Sequence, residues 1–209
     1  NAATVLWQFF FYFKLVDAQE SIRLAVIPGV FYAHDPQENH AFIQVLDGAT
    51  GQTSYHQYPI EEFQTAKTGF DIRIGPNHFS QQGITLDIAD SQQTLRGEIR
   101  FCNPVPSPWP VTPISPGIMG WYAWMHFMEC YHGIVSMDHV ITGELLIDGE
   151  RIDFSNGRGY IEKDWGRSFP SAYFWMQSNH FSEAGISLKC SVAKIPWMRS
   201  SFVGFIAGV

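Results

Sequence analysis

The sequence predicts an all-β protein of short antiparallel strands arranged in two successive domains. Three observations carry this reading. Alternating apolar and polar runs recur along the chain, separated by turn residues. Helix signals are scarce. A proline-rich break interrupts the pattern, with Pro104, Pro106, Pro108, Pro110, Pro113 and Pro116 supplying half of the chain's 12 prolines. Proline cannot donate to a β-ladder and favours an extended linker. The expected division is an N-terminal β domain over 1–104, a linker over 105–118 and a C-terminal β domain over 119–209.

The elements follow in order. "VLWQFFFYFKLV" (5–16) is the greasiest run. It is too short to span a bilayer, and without a basic leader or small-residue cleavage site it does not read as a signal peptide. "RLAVIPGVFYA" reads as a strand, and "HAFIQVLDGATGQTSYHQYP" as a hairpin turning at Asp47, Gly48 and Gly51. "PIEEFQTAK" (59–67) is the best helix signal, one or two turns, with Pro59 and two acidic residues at its start. "FDIRIG" and the two runs of "GITLDIADSQQTLRGEIRF" return to alternation. Beyond the prolines, Val135, Met137, His139 and Ile141 are expected on one strand face, and Ser136, Asp138, Val140 and Thr142 on the other. Asp148-Gly149 marks a hairpin. "AYFWMQSNHF", "GISLKCSVAKIP" and "SSFVGFIAGV" complete the series. The last run stops at Val209 in mid-strand, so either another strand covers that edge or more chain follows.

Composition narrows the function. Charged residues make up 16% of the 209, below the ordinary value of about 25%, and aromatic residues make up 15%. Such a chain buries its aromatics in a core or lines an apolar pocket with them. The net charge of -7, without a Lys/Arg cluster, excludes a nucleic-acid partner. Cys102, Cys130 and Cys190 lie far apart, with no CxxC pair. They read as reduced, buried thiols in a reducing compartment. The expected location is the cytoplasm, with peripheral association at the membrane surface as a further expectation.

One region is distinctive. "PGIMGWYAWMHFMECYHGIVSMDHV", followed by "IDFSNGRGYIEKDWGRSFPSAYFWMQSNHF", resembles the tocopherol cyclase family. Weaker likeness runs through "FYFKLVD", "LAVIPGV", "YPIEEF" and "TLRGEIRF". The resemblance implies two tandem lipocalin-like barrel or sandwich domains, the second incomplete here, and a polyprenyl-type ligand. It implies cyclisation of a prenylated quinol to a chromanol, with no redox cofactor and no metal. The first strand departs from the family pattern F-E-G-W-Y-[FY]-K. It reads Gln8 to Lys14 without the acid or the glycine, and His126 stands where relatives usually carry proline.

The charged stretch "GRGYIEKDWGRSFP" holds the first candidate residues. As a strand it places Tyr160, Glu162 and Asp164 on one face, and Ile161, Lys163 and Trp165 on the other. Two carboxylates beside aromatics repel, and burial raises at least one of them into a usable proton donor. The alternative is a structural network in which Arg158 and Arg167 neutralise both acids. Glu129 and His132 are candidates for removing a phenolic proton, although a bend is needed to bring them to one face. Asp138 and His139 are adjacent and point apart. His126, Glu129 and His132 recur every third residue but match neither helical nor strand ligand geometry, and no metal is expected there. Trp121, Tyr122, Trp124, Tyr160, Trp165, Trp175 and His180 are candidates for the wall around an apolar ligand, where π faces stabilise a passing carbocation. The partner class is a small apolar lipid or prenylquinol. A non-catalytic lipid-binding protein and a hydratase or isomerase of another polyene are the alternatives to a cyclase.

Overall fold

The computed structural model describes residues 5–209 apart from 110, 115, 127, 184, 198 and 199; Pro110 of the expected linker thus lies outside the described residues. Nine strands form before the proline-rich segment: β1 (Val5–Val16), β2 (Arg23–Ala33), β3 (His40–Asp47), β4 (Thr53–Pro59), β5 (Phe63–Thr65), β6 (Asp71–Ile74), β7 (Asn77–Ser80), β8 (Gly83–Ala89) and β9 (Thr94–Val105). A 3-10 segment, Gly117–Trp124, follows it. Then come β10 (Cys130–Ile147), β11 (Glu150–Asp153), β12 (Gly157–Gly166), β13 (Tyr173–Ser178), β14 (Leu188–Trp197) and β15 (Ser200–Gly208). The protein is all-β and antiparallel.

Strands from both sides of the 105–118 segment share the larger sheet. Its order is β4-β3-β2-β1-β12-β10-β9-β8-β7-β6-β5, with β11 paired to β10. β12 lies between β1 and β10, pairing Gln8–Val16 with Gly166–Arg158. Proline content reports where a ladder stops locally. It carries no information on which distant strands pair. The remaining strands form a second sheet, β13-β14-β15.

The large sheet curls until its two ends meet without closing a backbone ladder. Side chains bridge the seam between β4 and the β7–β9 region. His56 Nδ1 lies 2.5 Å from Asp90, the Ser54 hydroxyl donates to Gln93 over 2.9 Å, and Asn77 donates to the Tyr58 hydroxyl over 3.1 Å. One apolar core fills the concave face, drawing on Phe11, Phe13 and Leu15 of β1 and on Ile43, Ile74, Phe79, Leu86, Ile99, Ile141 and Leu145. The rings of Phe70, Phe79 and Phe101 each lie 5.8 Å from that of Phe13. Truncating a ring so enclosed costs about 3–5 kcal/mol.

The expected short helix is met at its lower bound, and the expected alternation over 135–142 needs revision. The helical signal at Pro59 yields only a 3-10 turn, Ile60–Glu62, before β5; a single turn gains too few hydrogen bonds to offset helix nucleation. The clean alternation expected over 135–142 is broken, because β10 shifts register against β12 between Ile134 and Ser136 and again between Ser136 and His139. These bulges bury Ser136, Met137, Asp138 and His139 in succession and bring Ser136 Oγ within 3.0 Å of His139 Nδ1.

Candidate active site on the outer face of the curled sheet

β1 is apolar on both faces because both are covered. Phe9, Phe11, Phe13 and Leu15 serve the core. Gln8, Phe10 and Tyr12 point outward, beneath the small sheet, into a cavity of about 470 Å³. Ile27, Phe31, Phe42 and Tyr55 extend that wall toward β4, while Phe169, Pro170, Tyr173, Trp175, Ser191 and Ala193 form the facing wall. Gly29 makes room for it: a Cβ there would lie 2.5 Å from the Phe42 ring and 2.7 Å from Phe10.

The polar floor comes from cross-strand register. Asp164 on β12 is opposite Phe10 of β1 and His132 of β10, and Glu162 is opposite Tyr12 and Ile134. Directly opposed residues in an antiparallel pair share a face. His132, Glu162 and Asp164 therefore line the cavity together. Asp164 Oδ1 pairs with His132 Nδ1. Glu162 accepts a 2.6 Å hydrogen bond from the Tyr160 hydroxyl. Tyr160 is fully buried, and both carboxylates are 3% exposed.

Burial controls the protonation of this floor. It pushes Glu162 up to about 8, helped by the charge of Asp164 and opposed by Lys189, Tyr160 and Trp175. Burial, then Glu162, raises Tyr12 to about 12. Tyr160 is driven well above the usual phenol range by burial first and Glu162 second. Near neutrality Glu162 thus holds a proton in an apolar enclosure.

Arginine does not neutralise these acids. Arg158 pairs with Asp138, and Arg167 is exposed while its N–H donates to the Glu129 carbonyl. Lys14 donates to Asn179, which in turn donates to Asp138 and to the Gly159 carbonyl, so the ion-paired joint sits further along the sheets. Gly159 clears space for that joint, since a Cβ there would lie 2.2 Å from His139 Nε2.

Seen from the sequence candidates, the cavity gathers His132, Glu162, Asp164 and Trp175, with Tyr160 directly behind. Tyr122 lines a smaller apolar cavity that also reaches Cys130 and His132. Trp165 lies on the opposite face of β12, stacked on Tyr131. Trp121 and Trp124 are exposed on the 3-10 segment. Glu129 and His180 line neither cavity. Glu129 lies in a bend just before β10 begins at Cys130, off the strand that carries His132.

The family profile described as tocopherol cyclase-like matches residues 16–207. The chain belongs to the tocopherol cyclase-like family. The probable chloroplastic tocopherol cyclase of Oryza sativa subsp. japonica is 38% identical over 130 residues, covering 61% of this chain and 27% of that protein. The chloroplastic tocopherol cyclase of Zea mays is 36% identical over 74 residues, covering 35% of this chain and 16% of its own length. The chain thus spans only part of the relatives it matches. Among solved structures, a candidate AttH from Nitrosomonas europaea aligns at TM-score 0.55 and 14% identity, covering 90% of this chain and 61% of its own. CghA aligns at TM-score 0.54 and 11% identity, covering 96% of this chain and 57% of its own. These structures share the fold.

In this tocopherol cyclase-like chain, Cys130 Sγ and ligand atoms of His132 and Asp164 lie within 4.8 Å of one another. The set suits a metal poorly. Burial, then Asp164 and Glu162, push the thiol up and keep it protonated, and His132 and Asp164 already engage each other. Most of the apolar wall, together with Tyr12 and Lys189, escaped the sequence reading. Tyr12 was recoverable, because a strand apolar on both faces signals cover on both sides. Lys189 was not, because a lysine alternating with Ser187 and Ser191 reads as solvent-facing. No helix among the described residues is long and apolar enough to cross a membrane.

Proposed function

We propose that the protein cyclises a prenylated quinol, or a lipid of similar shape, by proton-initiated addition of the phenol to an alkene. The observation that carries this reading is Glu162, a buried carboxyl raised to about 8 at the floor of an apolar cavity, beside the His132–Asp164 pair. The curated relatives named as tocopherol cyclases support the substrate class.

The Glu162 O–H gives its proton to the less substituted alkene carbon, and a tertiary cation forms on its neighbour. The walls of Phe10, Tyr12 and Trp175 present π faces to that cation. The quinol oxygen closes the ring on the cation and releases its proton to His132, oriented by Asp164. Return of that proton to Glu162 restores the site. The reaction is an isomerisation, balanced in atoms and electrons without a further reactant.

Incubating purified protein with a phytylated benzoquinol tests this. Chromanol is expected from the wild type, with Glu162→Gln slower by about 100-fold or more. No chromanol, or an unslowed Glu162→Gln variant, sinks the cyclase reading. A tertiary alcohol as product assigns the same acid to hydration, with water trapping the cation.

A further inference from the structure

Lys189 lies on β14, in the sheet that covers the cavity, opposite Gln177 of β13. Alternation puts it on the same face as Ser191 and Ala193, which line the cavity. It is 0% exposed, and its Nζ has no hydrogen-bond partner among the described residues. A buried ammonium left without compensation is strongly unfavourable. Its charge acts on Glu162 and on Cys130, across the gap between the two sheets. Along β12 itself the guanidinium of Arg158 is committed to Asp138. The lysine charge that reaches Glu162 therefore comes from the other sheet.

We propose that Lys189 is a positioning residue, the counter-charge that holds the buried Glu162–Asp164 pair at a single shared proton. The inference deepens the acid reading of the site and rests on it. Two adjacent buried carboxylates cannot both ionise without a nearby cation. With Lys189 charged, one ionised carboxylate is balanced, and the remaining proton stays on Glu162 because Asp164 is engaged by His132. The groups facing Glu162 are Tyr12 from β1, Tyr160 and Asp164 from β12, Cys130 from β10, Trp175 from β13 and Lys189 from β14. His132 of β10 lies on the same floor and is held by Asp164; of the charges that act on Glu162, Lys189 alone is positive. Without it the Glu162 proton is held too tightly to be a good acid.

Infrared difference spectroscopy reads that proton directly, through the protonated carboxyl stretch that disappears in Glu162→Gln. Titrating this band in the wild type, Lys189→Met and Lys189→Arg gives the test. The midpoint is expected to rise by about one pH unit or more in Lys189→Met and to stay near wild type in Lys189→Arg. An unmoved midpoint in folded Lys189→Met overturns the proposal. Should that variant fail to fold, the reciprocal measurement uses the native lysine: the Nζ resonance of isotope-labelled Lys189 in the wild type and in Glu162→Gln. A lower lysine midpoint in Glu162→Gln supports the pairing, and an unchanged one overturns it. Neither readout uses turnover, so failure of the chromanol assay and failure of this coupling are separate results.

Discussion

Glu162 and its neighbours make protonation the controlling variable at the level of single residues. The carboxyl rises from an ordinary 4.5 to about 8, chiefly through burial. The folded state therefore keeps this proton where the unfolded chain has lost it. The associated stability is complete below about pH 4.5 and is lost as pH rises toward about 8. His139, lowered from 6.5 to about 4 by burial, is already neutral above its ordinary value. Lys14, lowered from 10.5 to about 8 by burial, still carries its charge below that pH. Between these limits the thermal midpoint of the wild type is expected to fall with rising pH, and that of Glu162→Gln to fall less. Differential scanning fluorimetry across this window checks it; parallel curves contradict the assigned burial. If Glu162 is the acid, turnover falls as pH rises through about 8, because only the protonated form donates.

Strands and turns, taken as elements, were largely legible. "RLAVIPGVFYA" is β2 from end to end, and Asp148-Gly149 turns β10 into β11 with φ of 50° and 88°, the left-handed pair that a tight hairpin requires. The face of β12 carrying Tyr160, Glu162 and Asp164 followed from alternation alone. Alternation failed in β10, where the bulges are set by pairing with β12 and have no local sequence code. The seam was equally hidden, since nothing near His56 announces that Asp90 will meet it. Replacing Asp90 by Ala leaves the Nδ1 of buried His56 unpaired and is expected to cost about 1–3 kcal/mol. Urea denaturation measures it. A change within error would mean that the His56–Asp90 contact adds nothing to the seam.

On the scale of the whole molecule, the candidate site exists only because one sheet covers the outer face of another. Asn179 ties them, accepting from Lys14 of β1 and donating to Asp138 of β10 and to the Gly159 carbonyl of β12. Asn179→Ala is expected to speed amide hydrogen exchange in β13 and β14 while leaving β6–β9 protected. Uniform acceleration would show instead that both sheets open as one unit. The sequence by itself determined the all-β class, most strand positions, the family and the shared face of the two carboxylates, because turn chemistry and two-residue periodicity are local properties. Only the tertiary structure decided that β12 lies between β1 and β10, that Asp164 meets His132, that Arg158 serves Asp138, and that Lys189 is buried over Glu162. Those outcomes depend on long-range register and on which face a second sheet covers, and neither is encoded in any short stretch of chain.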